Sequence, residues 1–243
     1  FGVSENNFLG RGIEFSSDVS VSAENLKGLI SLNNPNYRGS SRSLNASIES
    51  TVTDRLKNFG YKSKKTGFSI GSGFEFYDDL YWNTGISSYV EKLDADNTAS
   101  ASMKKQEGSY FDTFFNQTFV YDKRNQKHMT SDGYISRFTQ NVPLISESYS
   151  LTNTYSYKIY NEWLDENVFS IGFFGQATNS LNSKNVKLSD RLYLPSSKLR
   201  GFESGKVGPK DGADYIGGNY AASINVATSL SQILPNSQNT NFS

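Results

Sequence analysis

The sequence predicts an all-β protein and, within that class, a transmembrane antiparallel up-and-down β-barrel. Three observations carry this. Apolar and polar residues alternate with period two over most of the 243 positions, as in strands with two unlike faces. The alternating segments run about 10–14 residues, longer than the ~5–6 usual in soluble sheets and close to the ~9–11 that cross a bilayer with tilt. Their polar faces are Ser, Thr, Asn and Gly with occasional carboxylates, which suits a water-filled interior.

The segments follow in order. In "GIEFSSDVSVS", Ile13, Phe15, Val19 and Val21 oppose Glu14, Ser16, Asp18 and Ser20. In "GFSIGSGFEF", Phe68, Ile70, Phe74 and Phe76 alternate with Ser69, Gly71, Gly73 and Glu75. "YWNTGISSYVEK" sets Trp82, Thr84, Ile86 and Val90 against Asn83, Gly85, Ser87 and Glu91, and "NYAASINVATSL" places Tyr220, Ala222, Ile224 and Val226 together. Strands are expected at 12–22, 25–33, 41–54, 64–77, 80–92, 109–122, 133–142, 148–162, 167–178 and 216–229. Tight connectors such as Asp78–Asp79 and Leu164–Asp165 alternate with longer ones at 93–108 and 178–215. Short turns therefore gather at one end of the sheet and long loops at the other. Tyr77, Tyr81 and Trp82 flank one turn and Tyr160 and Trp163 precede another, where interfacial girdles place aromatics. On periodicity alone, a large soluble β-sandwich or β-solenoid is the competing architecture.

Composition narrows the function. The 24 basic and 24 acidic residues balance, so no net field draws the chain to nucleic acid. There is no cysteine, hence neither disulfides nor thiolate metal sites. No apolar run approaches the ~18 residues of a membrane helix. The mean hydropathy of −0.55 has a simple cause in a barrel, since only every second strand residue meets lipid. The opening "FGVSENNFLGRG" reads as the middle of a domain, with targeting information expected elsewhere. His128 lies in the polar turn "NQKHMTSDG" and is read as solvated, so an outer-membrane hydrolase lacks a base, and no enzyme activity is expected. Asp94, Asp96 and Asn97 lack the glycine and closing glutamate of a calcium loop. Lys64–Lys65 and Lys104–Lys105 are read as solvated loop charges, with lipopolysaccharide phosphates as candidate partners. No cofactor or metal is expected.

The most distinctive stretch is "KLRGFESGKVGPKDGADYIGGN", residues 198–219, with six glycines. As a phosphate loop it fails: Gly201 to Gly205–Lys206 is one residue short and is followed by Val207 and a strand, where the motif needs Ser or Thr and a helix. As a linker it fails too, because Leu199, Phe202, Val207 and Tyr215 are poor linker residues. It resembles the long sixth extracellular loop of the BamA-type outer-membrane-protein insertases, in which an Arg-Gly-Phe or Arg-Gly-Tyr tip, Gly-Pro-Lys/Arg-Asp and Gly-Gly-Asn occur in this order. "SENNFLGRG" (Ser4 to Gly12) resembles the family's turn between its second and third strands. "YDKRNQKHMTSDGYIS" resembles a periplasmic turn closed by Asp132–Gly133.

The resemblance implies a fragment of a sixteen-stranded barrel, roughly strands 2 to 13, in the bacterial outer membrane. Residues 178–215 would be an extracellular loop folded inward, and the POTRA domains and closing strands would lie outside residues 1–243. The implied function is folding and insertion of other β-barrels. The implied partners are unfolded outer-membrane-protein clients, barrel-assembly lipoproteins, and outer-membrane lipid with lipopolysaccharide. In the tip, Leu199, Arg200, Gly201 and Phe202 would dock on the barrel wall, with Arg200 bonded to wall carboxylates. Gly208, Pro209, Lys210 and Asp211, then Gly217, Gly218 and Asn219, would return the chain to the next strand. One departure stands out: the family commonly carries a glutamate near Ala227, so Arg200 needs another acceptor. Alternatives are a related translocation barrel, for autotransporter assembly or two-partner secretion, and a passive porin.

Overall fold

The structure is a computed structural model and describes residues 1–22, 24–164, 167–203, 205–212, 214–229 and 241–242. Ten strands follow one another as a meander: β1 (Gly2–Phe8), β2 (Ile13–Val21), β3 (Asn25–Asn34), β4 (Ser43–Arg55), β5 (Tyr61–Tyr77), β6 (Leu80–Ala95), β7 (Gly108–Asp122), β8 (Gly133–Ile145), β9 (Ser150–Leu164) and β10 (Asn167–Ser180). A two-stranded ribbon, β11 (Lys210–Asp211) and β12 (Asp214–Tyr215), interrupts the run before β13 (Tyr220–Ser229) and β14 (Asn241–Phe242). The main sheet has 12 strands in the order β1 to β10, β13, β14. All its pairings are antiparallel, and β1 and β14 form its two edges, so the sheet is an open portion of an up-and-down barrel. Among the described residues no helix is long and apolar enough to span a membrane.

The expected strands all form, four of them two or three residues longer than expected and three of them shorter. The principal correction is β1, whose "GVSENNF" alternates too weakly to be read as a strand. It is an edge strand with a register shift between Glu5 and Phe8. Two single-turn helices, α1 (Leu56–Phe59) and α2 (Ala101–Lys104), were also unexpected, being too short to show periodicity. Lys64 and Lys65 are not loop residues: both lie inside β5. His128 sits exposed between β7 and β8. The expected turn at Leu164–Asp165 falls partly outside the described residues.

Register shows how the two faces differ. One row crosses seven strands as Phe15, Leu32, Ala46, Ile70, Ile86, Phe115 and Val142. Large apolar side chains on this face stand uncovered, Ile70 at 50% and Ile86 at 43% exposure. The opposite face carries a row of serines, Ser4, Ser16, Ser31, Ser47, Ser69 and Ser87. Their hydroxyls pair across strands, Ser16 with Ser31 at 2.7 Å and Ser47 with Ser69 at 2.8 Å. A soluble sandwich would bury the apolar row; here it is the hydroxyl row that faces the interior, the arrangement of a membrane barrel. Toward the Asp78–Asp79 end the outer face becomes aromatic. Phe74 and Trp82 lie 5.6 Å apart, and Trp82 stacks on Phe119 at 5.8 Å. One polar ladder interrupts the outer face: Gln117 donates to Gln140 at 2.9 Å and Gln140 to Asn153 at 2.8 Å. The amides thus satisfy one another rather than facing hydrocarbon unpaired.

Glycines on the serine face sit where neighbouring backbone leaves no room for a side chain. A Cβ on Gly67 would fall 2.2 Å from the Ser88 carbonyl oxygen, and one on Gly85 2.5 Å from that of Ile70. Gly67→Ala is therefore expected to cost about 1–3 kcal/mol through forced backbone shifts. Gly28, on the opposite face, has nothing within 4 Å, and Gly28→Ala should be neutral or mildly stabilising. Urea unfolding of the two variants in lipid checks the contrast.

Candidate functional site

The candidate site is the connection between β10 and β13, residues 181–219. It starts at the same end of the sheet as the connectors 56–60, 96–107 and 146–149, and folds onto the serine-lined face.

At that end it builds the main apolar cluster. Phe59, Tyr61, Leu93, Ala99, Met103 and Leu188 are buried together, with Tyr110, Tyr193, Tyr215 and Ile216 packed against them. Phe59 meets Tyr193 edge-on at 5.4 Å. The Arg55 guanidinium lies 5.1 Å from each of those two rings, a pair of cation–π contacts. Gly217 adopts φ 68° beneath Tyr193, and a Cβ there would come 2.9 Å from that ring, so glycine is required twice over.

Below this cluster lies an ionic one. Lys187 Nζ stands 2.7 Å from Glu91 Oε2 and 2.7 Å from Asp112 Oδ2, and 4.0 Å from Asp190 Oδ2. The Lys187, Glu91 and Asp112 side chains are 3%, 2% and 4% exposed. Serine hydroxyls complete the shell: Ser63 donates to Glu91 at 2.5 Å, Ser189 to Glu91 at 3.0 Å, and Ser146 to Asp112 at 2.6 Å. Leu188 N–H donates to Gln106 Oε1 at 2.9 Å, and the Tyr110 ring lies 4.8 Å from the ammonium. Burial alone would depress the Lys187 ammonium, but the surrounding carboxylates outweigh it and its pKa is raised. Burial lifts the Asp190 carboxyl above its ordinary value; Lys187 opposes this, while Glu91 and Asp112 add to it. The reading of the sequence passed over this cluster. Its one signal was Val186 and Leu188 flanking a lysine in an otherwise polar loop.

The Arg-Gly-Phe tip reaches further along the wall. Pro195 starts a turn in which Lys198 and Leu199 N–H donate to its carbonyl at 2.9 and 3.2 Å. Asn225 of β13 then donates from Nδ2 to the Lys198 carbonyl at 3.1 Å. Arg200 lines a cavity of about 310 Å³ with Arg137, Ser156, Lys158, Ser170, Lys198 and Asn225, and Ala227 is part of the same wall. The lining holds no carboxylate. Among the described residues Arg200 has no ion-pair partner, so the acceptor that the resemblance calls for is not on this part of the wall. Leu199 is half-buried, Gly201 takes φ 80°, and Phe202 is 61% exposed.

The rest of the motif returns the chain to the sheet. Gly208 has φ 134°, and the Pro209 carbonyl accepts from Ile216 N–H at 3.1 Å. Lys210 pairs with Tyr215 and Asp211 with Asp214 in the ribbon. Gly218 and Leu192 exchange backbone hydrogen bonds of 2.9 and 2.8 Å, and Asn219 accepts from Thr178 at 2.8 Å. The Gly217–Asn219 half thus fixes where the loop rejoins the wall.

Comparison with known proteins agrees with this architecture. The family model described as the Omp85 superfamily domain matches residues 7–241. A SAM50-like protein of Schizosaccharomyces pombe is 45% identical over 60 residues, which is 24% of this chain and 12% of that protein. The crystal structure of BamA from Haemophilus ducreyi lacking POTRA domains 1–3 superposes with a TM-score of 0.80 at 20% identity, covering 94% of this chain and 49% of that one. The chain therefore spans about half of the solved BamA chain and a smaller part of the SAM50-like protein.

Proposed function

The chain belongs to the Omp85 superfamily, and from that membership we propose that it is the barrel portion of an outer-membrane assembly factor that folds and inserts β-barrel proteins. The supporting observation is the match across residues 7–241 together with a loop laid on the inner wall. In this reading residues 178–215 are extracellular and fold inward, and Leu199 to Phe202 form the docking tip. The partners are unfolded outer-membrane-protein clients, accessory lipoproteins, and lipid with lipopolysaccharide at the rim. Assembly proceeds by strand addition: a client strand pairs with backbone groups on an open sheet edge, which supply a template before the client's own hairpins close.

Arg200 is the test of the tip. In this reading the acceptor of Arg200 lies outside the described wall; a hydrogen bond to a charged group is worth ~1.5–3 kcal/mol, so Arg200→Ala should slow client folding by about tenfold or more. Arg200→Lys should recover only part of the rate, because an ammonium cannot reproduce the guanidinium fork. The assay is client folding into liposomes that contain the intact protein. Unchanged client folding in Arg200→Ala would remove the tip's role, and steady ion conductance without any client folding by the parent protein would favour a passive channel.

A further inference from the structure

We infer that Lys187 is the positioning residue of the loop: clasped between Glu91 of β6 and Asp112 of β7, it sets the seat from which the Arg-Gly-Phe tip reaches the wall. The loop's wall contacts are unequal. At the tip, the bond is one amide from Asn225 to the Lys198 carbonyl, and the charged side chains lining the cavity there are all cations. At Lys187, an ammonium at 3% exposure bridges two carboxylates whose other oxygens are already taken by Ser63 and Ser146. These ligands come from three strands and the β8–β9 connector, so the lysine ties the loop to a broad section of wall. Removing one partner from such a cluster leaves buried charge uncompensated, whereas removing all of them does not. That asymmetry makes the clasp testable apart from simple packing.

The experiment uses the intact protein in liposomes, with trypsin cleavage at Lys198, Arg200 and Lys206 as the measure of loop seating. Lys187→Met should raise the cleavage rate on the order of tenfold or more, since Glu91 and Asp112 are left unpaired. The triple variant Lys187→Met/Glu91→Gln/Asp112→Asn should return it to within about threefold of the parent, as the two most deeply buried carboxylates no longer carry charge and Asp190, 17% exposed, keeps access to water. Equal cleavage of the single and triple variants would mean that packing, not charge, holds the loop; no change in either would mean that Lys187 does not position it. Both results overturn the inference. Barrel folding is followed by the gel shift between heated and unheated samples. If Lys187→Met does not fold, Glu91→Gln/Asp112→Asn takes its place, leaving the buried ammonium only Asp190 at 4.0 Å, with a rise of roughly threefold to tenfold expected and no rise counting against the clasp. The link to function rests on the assembly reading and is scored separately. Client folding should fall in the single variant and recover in the triple; an open loop with unimpaired assembly would leave the clasp standing and remove the assembly role of the tip.

Discussion

Ile86→Arg should destabilise the membrane-inserted protein by about 2–4 kcal/mol, the cost of a cation on the lipid face near mid-bilayer. Ile86 sits near the middle of β6, between Ile70 and Phe115 in the apolar row. With neighbours of that kind on both sides, an arginine there finds no acceptor within the row and must snorkel toward an interface. The control is Asn45→Arg. Asn45 pairs with Gly71 on the serine-lined face and is exposed there, so a new guanidinium stays in water and should cost less than ~1 kcal/mol. Urea titration of both variants folded into the same liposomes measures the difference. Equal penalties would mean that the two faces meet the same solvent.

Phe59→Ala should cost about 3–5 kcal/mol, the usual range for emptying an aromatic site in a packed core, and the loss should be local. Phe59 is 1% exposed and contacts Tyr193 and Tyr215 of the loop. Arg55 would also lose one of its two ring faces. The strands are held by their own ladders, so the barrel should stay folded while residues 186–216 lose protection against amide hydrogen exchange. A variant that kept this protection would show that the ionic cluster alone holds the loop down. Simultaneous loss of protection throughout β4–β7 would show that the cap and wall fold as one unit.

How much of this was legible in the sequence depends on where each signal resides. Period-two alternation is local, so Phe68, Ile70 and Phe74 could be assigned to one face of β5 without any partner strand. β1 escaped because Glu5, Asn6 and Asn7 break the alternation, and an edge strand paired only to β2 needs no strong pattern. The glycine motif located the loop, since Gly217 under Tyr193 and Gly218 against Leu192 are backbone requirements written into the residues themselves. The seat of the loop was not legible, because its charges converge from afar: Asp112 lies 75 residues from Lys187. Glu91 read simply as one more polar-face residue. The tip shows the complementary limit. Resemblance led to Arg200, and the wall it meets there supplies Arg137 and Lys158 rather than acids.

The central claim is that hydrocarbon covers the apolar face and water the serine face. Spin labels placed singly at residues 65, 66, 68, 69, 70 and 72 of β5 in bilayers, with collision rates measured for oxygen and for a water-soluble nickel chelate, test it most directly. Labels at positions 66, 68, 70 and 72 should favour oxygen, and those at 65 and 69 should favour the chelate. Uniform chelate access, or protection of the even positions from both reagents as in a packed protein core, would contradict the account.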